Sequence, residues 1–167
     1  MEFELKTLSP DGLEAAKKKA TRYRLLSEPA LAESICRDVL ARDPDDREAA
    51  ITLLLCLTDQ FGARRGELVG EASAIANRFE DEYEKRYYLG VICERRGMAQ
   101  LTRRGPGAGA VAYDCLREAM EHYEAAERLR PDAKDEAILR WNTCARVIMR
   151  HHDVRPLPDD SAPSMLE

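Results

Sequence analysis

The sequence lacks a long hydrophobic run. Its densest apolar stretch, Ala49–Leu57, is much shorter than the roughly 18 residues that suggest a membrane-spanning helix. Aromatic residues make up only 6% of the chain, and no segment alternates apolar and polar residues with the period of two that is typical of strands. We therefore expect no membrane partner and no β-sheet.

Cysteine patterns of disulfide frameworks and zinc fingers are also missing. The five cysteines are odd in number, lie far apart and include no C-x-x-C pair. Each falls within an apolar helical pattern, where a free cysteine behaves as a small hydrophobic residue. The first residues, Met1–Lys6, are acidic and lack the apolar segment of a signal peptide. These features predict a cytoplasmic protein with free thiols at Cys36, Cys56, Cys93, Cys115 and Cys144.

The chain has no surplus of positive charge. Its net charge is −5 at pH 7 and its pI is about 5.4, so the chain as a whole gains no attraction to phosphate backbones or to anionic lipid. This composition argues against nucleic acid as a partner. The strongest local basic patch is Arg103–Arg104, with Arg95–Arg96 close by in sequence, and it would suit an acidic protein.

No segment carries a catalytic, cofactor or metal signature. Gly105–Ala110 superficially resembles a dinucleotide-binding loop, but it does not follow a strand. The adjacent His151 and His152 point about 100° apart on a helix and cannot easily share a metal ion. His122 has no obvious set of carboxylate and nucleophile around it. We therefore predict a protein that is not an enzyme and that holds no cofactor and no metal.

The residues that are present favour helices in a single domain. Hydrophobic residues make up 44% and charged residues 34% of the 167 positions, with alanine, leucine, glutamate and arginine predominant. Proline, glycine and aspartate divide the chain into seven predicted helices, with Arg103–Gly109 as a break between the fifth and the sixth. The predicted helices end at about Leu26, Asp43, Gln60, Phe79, Gly97, Pro131 and Arg150.

Two stretches repeat one spacing of small and apolar residues. In each, an alanine is followed by a second residue four positions later, a third three positions after that, and a proline five positions further on. A Leu89–Gly90 pair stands upstream of the second stretch, where a small residue lets two helices approach closely. The first set is Ala32, Cys36, Val39 and Pro44, and the second is Ala119, Tyr123, Ala126 and Pro131.

This pattern resembles the tetratricopeptide repeat (TPR), a helix pair of about 34 residues. The resemblance implies an all-α fold, a right-handed α-solenoid of about three helix pairs over residues 11–132, closed by a C-terminal capping helix. Pro44 and Pro131 are 87 residues apart, whereas two periods give about 68, and we place about 17 of the extra residues in a turn between Gly97 and Cys115. A generic helical bundle, or another kind of α-solenoid, is the alternative architecture.

The chain divides into a body and a tail. Residues 1–152 are predicted to form the TPR-like helical repeat domain. Residues 153–167 hold three prolines and three aspartates, and they cannot bury enough apolar surface to offset the entropy lost on ordering. We expect a flexible Pro/Asp-rich tail, or an extended strap along the body.

In a TPR-like stack, the first helices of each pair line a concave surface. On the repeat alignment this surface carries an apolar stripe with both signs of charge at its rim, which suits an amphipathic helix or an extended peptide. The resemblance therefore implies a non-catalytic scaffold that binds another protein or a peptide. The predicted partner-binding residues are Lys17, Thr21, Arg24, Ile51, Leu55, Asp59, Tyr87, Val91, Glu94, Arg95, Ile138, Asn142 and Arg146.

Two further functions remain as alternatives. The last helix, with Trp141, could pair with a copy of itself and make the chain a self-associating structural protein, a homo-oligomer. The arginine-bearing segment Arg103–Gly109 could instead dock the chain as an accessory subunit of a larger enzyme complex.

Overall fold

The computed structural model describes residues 3–62, 67–103 and 105–157. Within these ranges the chain forms seven α-helices and no β-strand, so the predicted all-helical fold is confirmed. A short 3-10 turn, Pro10–Gly12, precedes the first helix. The helices are α1 Leu13–Leu25, α2 Pro29–Arg42, α3 Arg47–Asp59, α4 Glu67–Asn77, α5 Glu82–Arg103, α6 Ala108–Leu129 and α7 Glu136–Arg150.

Prolines and aspartates begin several of these helices. Pro29 is the first residue of α2, where the missing N–H costs no helical hydrogen bond. The Asp46 side chain caps α3 by accepting a 2.8 Å hydrogen bond from the Ala49 amide. At the start of α5, the Asp81 carboxylate accepts a 3.1 Å bond from the Glu84 amide. These side chains satisfy N–H groups that have no backbone partner at a helix end.

Two helices end at the prolines of the repeated spacing. Asp43 follows the last residue of α2 and Arg130 follows the last residue of α6, and both have extended backbone conformations. Each precedes a proline, Pro44 or Pro131, whose ring disfavours the helical conformation in the residue before it. An extended residue followed by proline therefore ends both helices.

The fifth helix is longer than predicted. The expectation that it ends at Gly97 is wrong, since α5 continues to Arg103. Gly97 lies inside the helix because α6 passes it at close range: a Cβ atom there would lie 3.0 Å from the Leu116 side chain and 3.2 Å from the Ala112 carbonyl oxygen. The glycine permits close packing and does not end the helix.

The predicted break between the fifth and sixth helices is shorter than expected. α6 begins at Ala108, and Gly107 before it has a φ of +73°, which glycine adopts without strain. Most described residues of the 98–114 segment therefore lengthen the two helices, and the expected insertion in a turn is wrong. α5 and α6 have 22 residues each and share the most extensive contact among the described helices.

Each helix packs against the next one in sequence, and α3 also contacts both α1 and α5. Buried side chains form two clusters. One is built by α1 to α5 and includes Leu54 and Leu57, and the other is built mainly by α5, α6 and α7 and includes Leu116 and Tyr123. The partly buried Leu55 packs against both clusters, so the hydrophobic core is continuous along the chain.

The chain after α7 returns to the body. Val154 is 3% exposed and belongs to the C-terminal cluster. The Asp153 backbone lies against α6, where a Cβ atom on Gly109 would stand 2.1 Å from the Asp153 carbonyl oxygen. The segment predicted to be a flexible tail thus begins with two docked residues, and positions 158–167 lie outside the described residues.

Candidate functional site

Ion pairs join the first three odd-numbered helices on one side of the molecule. The Arg24 guanidinium on α1 lies 2.7 Å from the Asp59 carboxylate on α3, and the Arg95 guanidinium on α5 lies 3.8 Å from the same carboxylate. All three belong to the predicted partner-binding set, and the structure brings them together. We define the odd-helix face as the surface carrying Thr21, Arg24, Ile51, Leu55, Asp59, Tyr87 and Arg95.

Arg24, Asp59 and Arg95 form a charged row, in which a single carboxylate faces two guanidinium groups. Arg24 donates to both oxygens of Asp59, at 2.7 and 3.4 Å. Arg95 lies further from Asp59, and its Nε atom has no hydrogen-bond partner among the described residues. The row therefore has a local surplus of positive charge, which a carboxylate on a partner would neutralise.

Apolar surface and a concavity adjoin the charged row. Ile51 and Leu55 precede Asp59 on α3 at intervals of four residues, so they occupy the same stripe of the helix, and both are half-buried. Tyr87 on α5 is also half-buried. A hollow of about 440 Å³ beside the row is lined by Arg24, Leu25, Ser27, Pro29 and Asp59.

Two predicted partner-binding residues lie in the core and are not exposed to a ligand. Val91 is fully buried and Glu94 is 7% exposed. The Glu94 carboxylate accepts hydrogen bonds from the Tyr123 hydroxyl at 2.6 Å and from Arg140 at 2.9 Å. Burial raises the Tyr123 pKa and Glu94 raises it further. Burial alone would lower the Arg140 pKa, but the Glu94 carboxylate, Tyr123 and Tyr87 together outweigh it and raise the pKa. This network holds α5, α6 and α7 together.

Lys17, another predicted partner-binding residue, is engaged within the chain. Its ammonium group lies 2.6 Å from Glu14, 3.0 Å from Asp46 and 3.2 Å from Glu48, and hydrogen bonds to these carboxylates raise its pKa. At Asp46, burial would raise the pKa, but hydrogen bonds from the Ala49 amide and from Lys17 outweigh it and lower the pKa. Lys17 thus fixes α1 to the capped start of α3.

The other three predicted partner-binding residues lie on one side of α7. Ile138 and Asn142 are half-buried and Arg146 is exposed, and their spacing of four residues puts them on one side of the helix. Arg140 donates a 3.2 Å hydrogen bond to the Tyr87 hydroxyl on α5. This contact places α7 beside α5 at the Tyr87 end of the odd-helix face.

A second concave surface was not found from the sequence. It is a groove of about 740 Å³ where α2 and α4 end and α3 and α5 begin. Its lining includes the half-buried Leu40, Ile75 and Phe79 and the exposed Asp45 and Glu80. Two turns supply these acidic residues, and their proximity depends on how the helices pack, which the linear sequence does not show.

A group of metal-ligating residues also lies between α5 and α6. The Cys93 sulfur, a Glu118 carboxylate oxygen and a His122 ring nitrogen all lie within 4.8 Å of one another. The interpretation that His122 has no such residues around it is therefore wrong. Burial raises the Cys93 pKa to about 12, and the nearby Glu118 carboxylate contributes to this rise. The spacing of Glu118 and His122 by one helical turn was a signal in the sequence.

None of the described helices is both long and apolar enough to span a membrane. The chain matches none of the protein families, curated proteins or solved structures with which it was compared.

Proposed function

We propose that the chain is a non-catalytic, cytoplasmic scaffold of the tetratricopeptide type, which binds a segment of a partner protein on its odd-helix face. In this proposal the helices form a right-handed α-solenoid of about three helix pairs, with α7 as the capping helix. The five free, buried thiols accord with a reducing compartment.

The pairs of helices that are in contact, and the burial of equivalent residues, support the repeat architecture. Each described helix contacts its neighbour in sequence, and α3 also contacts α1 and α5, as expected when each repeat packs only on adjacent repeats. Equivalent positions of the repeated spacing are also buried alike. Ala32 and Ala119 are fully buried, and so are Val39 and Ala126.

The observation that carries the binding proposal is the row Arg24–Asp59–Arg95 beside half-buried apolar side chains. Charge at the rim of an apolar stripe orients a bound segment, while apolar anchors supply most of the affinity. The surplus positive charge selects a segment with at least one acidic side chain. A helix or an extended peptide with two or three apolar residues and one carboxylate fits this description.

A peptide selection tests the proposal. The full chain is immobilised, a random peptide library is selected against it, and the affinity of each enriched peptide is measured by fluorescence anisotropy. We expect enriched peptides to combine apolar and acidic residues. Replacing both arginines of the row, Arg24→Gln with Arg95→Gln, should weaken binding by about tenfold or more.

The matched control is Arg22→Gln. Arg22 is an exposed residue of the same helix as Arg24, but it lies about 200° from it around the helix, so this change should leave peptide affinity unchanged. Peptides that bind the double variant as tightly as the unmodified chain would contradict the proposed site. Circular dichroism of every variant confirms that the fold is retained.

Self-association is the second candidate, and exposed apolar residues on α7 favour it. Leu139 is 63% exposed and Met149 is 76% exposed, so each offers apolar surface that a second copy of the chain would cover. Light scattering at increasing concentration tests it. An oligomer that becomes a monomer in Leu139→Lys with Met149→Lys would support this function, and a monomer at all concentrations would contradict it.

A further inference from the structure

We propose that Cys93, Glu118 and His122 form a zinc-binding site that joins α5 to α6. The site is independent of the odd-helix face and of any bound peptide.

The helices themselves position the three ligands. Glu118 and His122 stand four residues apart on α6, so they occupy neighbouring places on one side of that helix. Cys93 faces them from α5, and the three ligand atoms lie within 4.8 Å of one another. Zinc bonds of about 2.0–2.3 Å in a tetrahedral arrangement need ligand atoms about 3.5 Å apart. Small side-chain rotations therefore close the site, without movement of either helix.

The chemistry of the ligands selects zinc. A sulfur, an imidazole nitrogen and a carboxylate oxygen are the three ligand types that Zn²⁺ takes, whereas Mg²⁺ and Ca²⁺ prefer oxygen alone. Binding replaces the Cys93 thiol proton by the metal and releases that proton to solvent. The thiolate and the Glu118 carboxylate then cancel the charge of the ion, which a half-buried position requires.

Exposure gives the ion a route into the site. Cys93 is 5% exposed and forms the base, His122 is half-buried, and the Glu118 side chain is 52% exposed at the rim. Three protein ligands with one side open to solvent leave the fourth position for water. Arg96 lies 3.7 Å from the Glu118 carboxylate. Because about half of each side chain is exposed to solvent, this pair is weak and Arg96 can turn away.

Cobalt(II) titration of the full, tag-free chain tests the site. Co²⁺ replaces Zn²⁺ in such sites, and a cobalt–thiolate bond produces a charge-transfer absorption in the near ultraviolet. We expect this absorption to saturate at one equivalent of Co²⁺ and to disappear when one equivalent of Zn²⁺ is added. Cys93→Ser should abolish the absorption. Glu118→Gln and His122→Ala should each weaken Co²⁺ affinity by more than about tenfold.

Matched controls separate this site from adventitious binding. His152→Ala removes an exposed imidazole near the end of α7, and Cys144→Ser removes a buried thiol of α7; both should keep the one-equivalent absorption. Since Glu118 is exposed, Glu118→Gln tests the site even where Cys93→Ser alters folding. Absence of the absorption in the unmodified chain, or an affinity unchanged in both Glu118→Gln and His122→Ala, would overturn the proposal.

Discussion

The helix pairs α1/α2 and α5/α6 share one spacing pattern but fill it with different side chains. At corresponding places Cys36 is 1% exposed and Tyr123 is fully buried. Opposite Tyr123 stands Gly90, where a Cβ atom would lie 2.5 Å from the ring. When the two pairs are aligned as TPR-like repeats, Ala20 on α1 takes the place of Gly90 on α5, and it is also buried. The first pair thus combines two small residues, and the second combines glycine with the largest fully buried side chain among the described residues.

This difference shows how one helix-pair spacing tolerates unlike residues. Because a protein interior is close-packed, volume gained on one helix must be given up on the other. The second pair also depends on a buried hydrogen bond from Tyr123 to Glu94. The first pair has an ion pair to α4 at the surface, Arg37–Glu71 at 2.7 Å, and a buried hydrogen bond from Gln60 to Glu33. Because the Tyr123 ring fills the space over Gly90, we expect the second pair to be more sensitive to substitution.

The largest effect on stability should come from replacing Tyr123 by cysteine, the residue that the first pair has at the corresponding place. Tyr123→Cys removes a fully buried ring and leaves Glu94 without the hydroxyl donor. We expect the free energy of unfolding to fall by about 3–5 kcal/mol, measured by urea denaturation. A loss below about 1 kcal/mol would mean that the core collapses around the smaller residue, and the contrast between the pairs would be unfounded.

Gly90→Ala should destabilise the unmodified chain but stabilise the Tyr123→Cys variant. Gly90→Ala forces the added methyl group against the Tyr123 ring, and we expect a loss of about 1–3 kcal/mol. In the Tyr123→Cys background the ring is gone, and the same change should stabilise the chain by up to about 1 kcal/mol through the higher helix propensity of alanine. A double-mutant cycle measures the coupling, and additive effects would contradict the volume exchange.

A smaller loss of stability should follow from a substitution near the start of α6. Gly109→Ala pushes the Asp153 backbone away, because the new Cβ atom would lie 2.1 Å from its carbonyl oxygen. Loss of Val154 burial, offset in part by helix propensity, should destabilise the chain by about 1 kcal/mol. Hydrogen exchange of residues 151–157 should become faster.

Gly70→Ala is the control for that prediction. Gly70 lies within α4, and no atom outside its own helix backbone lies within 4 Å of an added Cβ. This substitution should raise stability by about 0.5–1 kcal/mol and leave exchange at 151–157 unchanged. Equal behaviour of the two glycine variants would show that the chain after α7 is not docked on α6.

An effect of about the same size as that of Gly109→Ala concerns the cap of α3 in the first half. Asp46→Ala should cost about 1 kcal/mol. The Asp46 pKa is lowered in the folded chain, so its contribution is present above the ordinary carboxyl pKa of about 4 and is lost as the pH falls through the folded-state pKa. The stabilities of the two proteins should therefore converge in acid, and a constant difference down to pH 2 would contradict this account.

Sequence patterns predicted the helices well wherever a residue acts locally. Pro29, Asp46 and Pro131 fix helix ends through their own backbone or side-chain chemistry, so no tertiary information was needed. Gly97 does not end the helix because its role depends on another helix: α6 passes so closely that an added Cβ atom would crowd Leu116 and the Ala112 carbonyl oxygen. A glycine that permits close packing and a glycine that ends a helix look the same in a linear sequence.

Part of the candidate site was predictable for a similar reason. Arg24, Asp59 and Arg95 follow from helical spacing once the odd helices lie side by side. Glu94 was placed on the same surface, but Arg140 and Tyr123 enclose it. The group around Cys93 could not be found from spacing alone, because its ligands are on different helices and their proximity depends on how α5 and α6 align.

We propose that a partner segment binds on the odd-helix face, and amide chemical-shift mapping with a selected peptide locates the bound segment. We expect the largest shifts upon titration on residues of the face, among them Thr21, Leu55 and Arg95, with little change on α2, α4 and α6. Shifts concentrated around Leu40 and Phe79, in the groove of about 740 Å³, would contradict it and place the binding site at the helix ends.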